Sequence, residues 1–305
     1  MTERQIGALE ALEGLEISRQ VSLKGLTSFH VGGDADVLIC PRTREAFVRV
    51  LKFLKDEGLP AIVLGKGSNT LFSDEGLRAP LVSPARYLTN ITLLDGHRLN
   101  AEAGATLRAA AAFALEQGLT GLEFAHGIPG TLGGGIFMNA GAYGGCMADV
   151  VESVTLFEDG EIKTLAAEEM AFGYRTSRAR RGGIVLSAVM RLKPGDPEAI
   201  RARMRELQEK RRASQPLEYP SAGSFFKRPE GHFAGALIDG AGLKGLKVGG
   251  AMVSTKHAGF VINAGDATCA DILALKDRIC SEVRERFGVD LEMEVAVFDR
   301  DGRTI

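Results

Sequence analysis

Ala61-Ile62-Val63-Leu64-Gly65-Lys66-Gly67-Ser68-Asn69 runs from a short apolar strand straight into a glycine-rich loop. A strand that opens into such a loop has the layout of a phosphate-binding turn, because backbone N–H groups without Cβ atoms can approach an anion closely. Two common nucleotide-binding turns use that layout, and this stretch fits neither. A Rossmann turn needs G-x-G-x-x-G, and here Thr70 stands where the third glycine belongs. A Walker A loop needs Ser or Thr directly after its lysine, and here Gly67 follows Lys66. If the loop holds a nucleotide, it does so on some other fold.

Working outward, the 305-residue chain contains 38 glycines, well above the usual ~7%, and they cluster. A second group is Gly127-Ile128-Pro129-Gly130-Thr131-Leu132-Gly133-Gly134-Gly135. A third is Asn139-Ala140-Gly141-Ala142-Tyr143-Gly144-Gly145. Any one of them alone reads equally well as a tight turn with no ligand. Three together, with Ser68, Asn69, Thr131 and Asn139 as side-chain donors, read as a cradle for a dinucleotide cofactor.

Composition removes several function classes. The net charge of −2 leaves no broad basic field for nucleic acid or an anionic membrane, though a compact basic pocket is still possible. Cys40, Cys146, Cys269 and Cys280 are scattered without CxxC spacing, which argues against a zinc site or a disulfide framework and fits a reducing compartment. The charged Thr2-Glu3-Arg4 start lacks the apolar segment of a signal peptide, and no apolar run approaches the ~20 residues of a membrane span. The expected location is the cytoplasm.

Caps and periodicity place four helices. Thr43 opens one with Phe47, Val50, Leu51 and Leu54 as its stripe and Gly58 as its stop. Thr106 opens an alanine-rich helix that ends at Gly118. Asp196-Pro197 starts a highly charged helix that runs through Arg212. Thr268 caps the last, with Ile272, Leu275, Ile279 and Val283 on one side and Gly288 at its end. A final strand over 291–298 alternates, with Leu291, Met293, Val295 and Val297 on one face. Strands and helices mix without a regular βαβ repeat, so the expected class is α+β. The charged helix after Pro194-Gly195 marks the boundary, giving domains of residues 1–200 and 201–305.

Further motifs continue the order. Thr27-Ser-Phe-His-Val-Gly32-Gly33-Asp-Ala-Asp36 precedes the three loops. Phe172-Gly-Tyr174-Arg175-Thr-Ser177, Ala222-Gly-Ser224-Phe-Phe-Lys227, Gly242-Leu-Lys-Gly245, Val253-Ser254-x-x-His257-Ala-Gly-Phe260 and Phe287-Gly-Val-x-Leu-Glu-x-Glu294 follow them. In this order, over about residues 20–298, they resemble the UDP-N-acetylenolpyruvoylglucosamine reductases. The resemblance implies a two-subdomain FAD-binding domain of the vanillyl-alcohol-oxidase (PCMH) type and a smaller α+β substrate-binding domain. It implies non-covalent FAD, NADPH as co-substrate, a UDP-sugar substrate and a role in peptidoglycan synthesis. The short interval between Arg175 and Ser224 matches the compact subtype. A monomer is expected, with no metal, no nucleic-acid partner and no membrane.

The implied chemistry assigns roles. Hydride addition to the CH₂ of an enol ether builds negative charge on the conjugated carboxylate, which donors or cations must stabilise. The neighbouring carbon then needs a general acid. By resemblance Ser224 is that acid, and Arg175 and Glu294 polarise the carboxylate. From the residues alone Ser224 is a serine in a glycine turn and Arg175 a surface arginine. Glu292 and Glu294 share one strand face, and alternation does not choose between them. A serine hydroxyl needs help to release a proton, and Lys227 is a local candidate.

Expected cofactor contacts are Gly65, Lys66, Gly67, Ser68, Asn69, Gly127, Ile128, Pro129, Gly130, Thr131, Gly133, Gly134, Asn139, Ala140 and Gly141. Tyr174, Lys227 and Arg228 are the expected substrate contacts, although many relatives carry Asn at the place of Arg228 and Tyr174 also suits a structural role. Arg178, Arg180 and Arg181 form either a solvated loop or a landing for NADPH phosphates. His257 reads as structural or substrate-lining, because no second metal ligand sits at a useful spacing. Two alternatives remain open. A flavin oxidase would pass electrons to oxygen, and a nucleotide-sugar sensor would bind without turnover.

Overall fold

Thr2 and Gln5 form a reciprocal capping box that starts the first helix, α1 (Glu3–Glu10). The computed structural model describes all 305 residues. The expected caps act where the sequence places them. Thr43 Oγ1 accepts from Ala46 N at 3.1 Å and opens α2 (Arg44–Asp56), which buries Phe47, Val50, Leu51 and Leu54. Thr106 Oγ1 accepts from Ala109 N at 3.0 Å and opens α3 (Leu107–Glu116). Thr131 heads the short α4 (Leu132–Phe137). Asp196 caps α5 (Pro197–Ser214) through the N–H groups of Glu198 and Ala199.

The chain forms two units. One holds Met1–Ser18, Leu38–Lys66 and Pro80–Arg211. The other holds Arg19–Val37, Gly67–Ala79 and Arg212–Ile305. The charged helix after Pro194-Gly195 predicts a single break at 200. The chain instead passes over at Arg211, and two early segments join the second unit. The cause is long-range packing. Phe29, Val31 and Leu71 lie in the same buried cluster as Phe225, Ile238 and Val297. The strands Thr70–Phe72 and Ala296–Phe298 also pair in parallel.

The first unit is organised by a five-stranded antiparallel sheet in the order Glu161–Ala166, Val151–Glu158, Ile184–Arg191, Arg98–Glu102, Ile91–Asp95. Leu99, Val154 and Met190 from this sheet share a core with Leu107, Ala110, Ala111 and Ala114 of α3. The small alanine side chains let the helix backbone lie close to its neighbours. A separate parallel group pairs Ile62–Val63 with Leu81–Val82, and Leu81 in turn with Leu38.

The second unit combines a three-stranded antiparallel sheet (Lys247–Val248, Ala251–Val253, Val261–Asn263) with α6 (Ala234–Gly240) and α7 (Cys269–Phe287). Ile272, Leu275, Ile279 and Val283 are fully buried, as their helical spacing predicts. Gly288, at φ 68°, closes α7 in the left-handed conformation. The strand expected over 291–298 is shorter, Ala296–Phe298, with an isolated bridge at Met293. Its predicted inner face holds, since Val295 and Val297 are buried and Leu291 and Met293 pack on the same cluster. No helix is long and apolar enough to cross a membrane. The class is α+β, as expected.

Candidate active site

In the second unit Ser224 sits on a segment pinned from both sides. Phe225 N donates to Gly259 O at 2.9 Å, and Glu294 N donates to Phe225 O at 2.9 Å. Lys227 N donates to Glu292 O at 2.8 Å, and Phe226 bridges Met293 in antiparallel sense. These bonds lay 224–227 alongside 292–295 and bring the Ser224 and Glu294 ends of the two segments together. Phe225 and Phe226 are buried and meet edge to face at 5.1 Å, which anchors the segment. Ser224 remains exposed, following Gly223 at φ 76°. A left-handed residue is cheapest as glycine, so Gly223 sets the turn that presents the hydroxyl.

His257 supports this segment from behind. Its Nδ1 accepts from Gly259 N at 3.1 Å, so in the neutral ring the proton lies on Nε2. Burial holds its pKa below the usual imidazole range, and the ring packs edge-on to Phe260 at 4.9 Å. Ser254 Oγ accepts from both Lys256 N and His257 N, which forms the local turn. His257 therefore holds Gly259, and Gly259 O holds Phe225. Nothing in the sequence pattern signals that link beyond the Ser254-x-x-His257 spacing.

The two glutamates part company. Glu292 is exposed and pairs with Lys227 Nζ. Glu294 is half-buried, and its carbonyl accepts from Asn69 Nδ2 at 3.1 Å. Lys227, the local candidate for assisting Ser224, thus directs its ammonium to Glu292. Arg228 stacks over the exposed ring of Phe233 at 4.1 Å, which orders a guanidinium at the surface.

The first glycine loop is divided by the unit boundary after Lys66. In the second unit Gly67 takes φ 58°, and a Cβ there would overlap Leu26 O. Ser28 N donates to Gly67 O at 3.1 Å, and Ser28 Oγ donates to Ser221 O at 2.6 Å. Ser68 and Asn69 are half-buried. In the first unit Lys66 is exposed, and a Cβ at Gly65 would overlap Thr131 Oγ1. Gly65 and the Gly127-Ile128-Pro129-Gly130-Thr131 loop are therefore in contact.

The glycines turn out to do two jobs. Gly65, Gly67, Gly133 and Gly141 are small because the chain packs tightly on itself there, against Thr131, Leu26, Ala103 and Gly145 respectively. A Cβ at Gly144 would meet open space, and one at Gly134 would meet only Thr131 Oγ1 at 3.7 Å. Asn139, at φ 43°, engages its amide within the chain. Its Nδ2 donates to Gly173 O at 3.0 Å, and its Oδ1 accepts from Ala148 N at 2.9 Å. Ala140 N bonds Gly135 O at 2.8 Å. These residues shape the loop and leave little of their own polar capacity for a ligand.

Tyr174 and Arg175 form the tip of a tight turn closed by Gly173 N to Thr176 O at 3.0 Å and Thr176 N to Gly173 O at 3.4 Å. Arg175 takes φ 57°, a conformation that is unfavourable for a long side chain and that collects at functional positions. Its guanidinium lies 5.3 Å from the Tyr174 ring centroid. The following basic run does not act as one patch. Arg178 grips the buried Glu158 through Nε at 3.1 Å and Nη2 at 2.9 Å. With Lys163 also on it, Glu158 is held at a pKa of about 2. Arg178 thereby carries a structural ion pair. Arg180 lies over Phe137 at 5.3 Å.

The first unit suits a flavin. Its loops present bare backbone at Gly134 and Gly144, and His126 Nδ1, next to Gly127, is buried without a hydrogen-bond partner. No group of three or more His, Cys, Asp or Glu side chains is arranged to hold a metal ion.

Known proteins resemble this chain over most of its length. Residues 35–166 match the FAD binding domain family, and residues 215–298 match the family described as UDP-N-acetylenolpyruvoylglucosamine reductase, C-terminal domain. The chain is 48% identical over 287 residues to the UDP-N-acetylenolpyruvoylglucosamine reductase of Geobacillus kaustophilus, covering 93% of this chain and 94% of that one. It is 48% identical over 291 residues to the Streptococcus pneumoniae (strain 70585) enzyme of that name, covering 95% and 96%. The crystal structure of the reductase from Thermus caldophilus superposes with a TM-score of 0.80 at 39% identity, over 93% of this chain and 99% of that one. The chain belongs to the UDP-N-acetylenolpyruvoylglucosamine reductase family of FAD-binding oxidoreductases.

Proposed function

We propose that the protein reduces the enolpyruvyl ether of UDP-N-acetylglucosamine to UDP-N-acetylmuramate, using non-covalently bound FAD and NADPH, as a cytoplasmic monomer. FAD held by the glycine loops around Gly65–Asn69, Gly127–Gly134 and Asn139–Gly141 would supply the hydride chemistry that links NADPH to the CH₂ carbon of the enol ether. The residues of the chain do the rest. Arg175 as a cation, and Glu294 as the carboxylic acid that can donate a hydrogen bond, bind and polarise the substrate carboxylate, where negative charge grows as the double bond takes up the hydride. Ser224 Oγ–H then gives its proton to the neighbouring carbon, which completes addition of H⁻ and H⁺ across the bond. Lys227, Arg228 and Tyr174 hold the sugar nucleotide.

One observation carries this reading. The backbone bonds of Phe225 join an exposed serine to the segment of a half-buried glutamate, with two buried phenylalanines fixing the register. A catalytic acid that must meet one carbon atom needs such rigid support.

The test is stopped-flow absorbance of the purified flavoprotein. NADPH should bleach the flavin, and the enolpyruvyl sugar nucleotide should restore its colour with one substrate reduced per flavin. Reoxidation by oxygen alone, with the sugar nucleotide inert, would instead indicate an oxidase. Failure of NADPH to bleach the flavin would indicate a binding protein.

A further inference from the structure

The run Arg178-Ala179-Arg180-Arg181 puts three guanidinium groups into four residues, a density that self-repulsion disfavours unless anions share it. The protein neutralises one of the three. Arg178 is held on Glu158 by two hydrogen bonds. The nearby Glu169 directs its carboxylate to Ala166 N at 2.9 Å. Arg180 and Arg181 are exposed, and Arg178 alone of the three pairs with a carboxylate.

Arg180 is nevertheless held in place. Its guanidinium lies over the exposed ring of Phe137 at 5.3 Å, and its Nη1 donates to Met138 Sδ at 3.1 Å. A ring and a thioether position a guanidinium without neutralising it, and they leave most of its five N–H donors open. Arg42, Arg86, Arg98 and Arg191 of the same unit each meet a carboxylate instead.

The surroundings of Arg180 belong to the site. Phe137 and Met138 run directly into Asn139-Ala140-Gly141, a loop expected to meet the cofactor. Phe137 O accepts from Ser177 Oγ at 3.1 Å, and Asn139 Nδ2 donates to Gly173 O at 3.0 Å. The turn bearing Arg175 is thereby stitched to the same place. A nicotinamide dinucleotide whose nicotinamide reaches the flavin must leave its adenosine end farther out. On NADPH that end carries a phosphate monoester, which NADH and the sugar nucleotide both lack. A pre-positioned, planar and unneutralised guanidinium matches phosphate oxygens.

We infer that Arg180, with Arg181 adding charge, binds the 2′-phosphate of NADPH and is the residue by which the protein prefers NADPH to NADH. The inference rests on the proposed use of NADPH as reductant.

The test uses the full-length, flavin-loaded protein as wild type, Arg180→Met and Arg180→Lys. Titration calorimetry gives dissociation constants for NADP⁺, NAD⁺ and the sugar nucleotide. Stopped-flow absorbance gives the limiting rate at which NADPH bleaches the flavin. Wild type should bind NADP⁺ more tightly than NAD⁺. Arg180→Met should lose about tenfold or more for NADP⁺, the worth of a charge-assisted bond, with Arg180→Lys between it and wild type. Its constants for NAD⁺ and the sugar nucleotide should stay within about twofold, and its limiting bleaching rate should not change. Equal affinity of wild type for NADP⁺ and NAD⁺ would overturn the inference. So would an Arg180→Met protein that binds NADP⁺ as wild type does. Loss of NADP⁺ and NAD⁺ affinity in step would overturn it too, because it marks a structural role or a contact to the part the two dinucleotides share. If NADPH fails to bleach wild type, the proposed function falls; if NADPH bleaches it and Arg180→Met keeps full NADP⁺ affinity, only the inference falls.

Discussion

Asn69 Nδ2 donates to the carbonyl of Glu294 at 3.1 Å, and Ala296 N donates back to Asn69 O at 3.0 Å. The pairing continues directly into the parallel register Ala296↔Thr70 and Val297↔Leu71. The end of the first glycine loop and the segment carrying the proposed carboxylate therefore lead together into one piece of sheet. Where the loop goes, Glu294 follows.

Asn69→Ala should remove the side-chain half of this link and keep the backbone half. The expected result is a fall in kcat of roughly fivefold to tenfold, the size of one hydrogen bond's net worth, with the fold intact. Steady-state kinetics with the sugar nucleotide checks it. An unchanged kcat would mean that the link does not orient Glu294.

Glu292 and Glu294 should behave differently although they stand two residues apart on one segment. Glu294→Gln removes a group proposed to act on the developing charge, so kcat should drop by about 10²–10³. Glu292→Gln only releases the Lys227 ammonium from an exposed pair. It should leave kcat within about twofold, as exposed pairs are worth little. Equal losses for the two variants would contradict the assignment.

The pair of Arg178 and Glu158 gives a pH prediction. The Arg178 and Lys163 cations beside Glu158 depress its pKa from the ordinary 4.5 to about 2. A carboxylate with a lowered folded-state pKa stabilises the fold above its unfolded pKa, and that contribution fades as pH falls toward the folded value. Glu158→Gln should therefore cost roughly 1–3 kcal/mol at neutral pH, and the gap from wild type should close between about pH 4.5 and 2. Urea denaturation across that range measures it. A gap independent of pH would show that the charge is not what matters.

Gly65→Ala should be disruptive for a reason other than ligand approach. The added methyl would overlap Thr131 Oγ1. A loss of about 1–3 kcal/mol is expected even in flavin-free protein. Thermal melting of the stripped protein reads it directly.

Much of the architecture was legible. Thr43, Thr106 and Thr268 cap helices where they were expected to, and the Ile272, Leu275, Ile279, Val283 stripe is buried. Such signals are local, and short-range rules report them well. The unit boundary was not local. Phe29 and Leu71 join the core of Phe225 through contacts nearly two hundred and more than one hundred and fifty residues apart in sequence, and no composition shift marks that. The glycines were found, but their purpose was only half read. Gly65 and Gly67 read as ligand turns in sequence, and they are also points of close chain packing.

The central claim is that Ser224 supplies the proton. The most direct measurement is stopped-flow reoxidation of the NADPH-reduced flavin in Ser224→Ala by the enolpyruvyl sugar nucleotide. NADPH should bleach the variant's flavin at the wild-type rate while reoxidation by the sugar nucleotide slows by about 10²–10⁴. Reoxidation at the wild-type rate would contradict it.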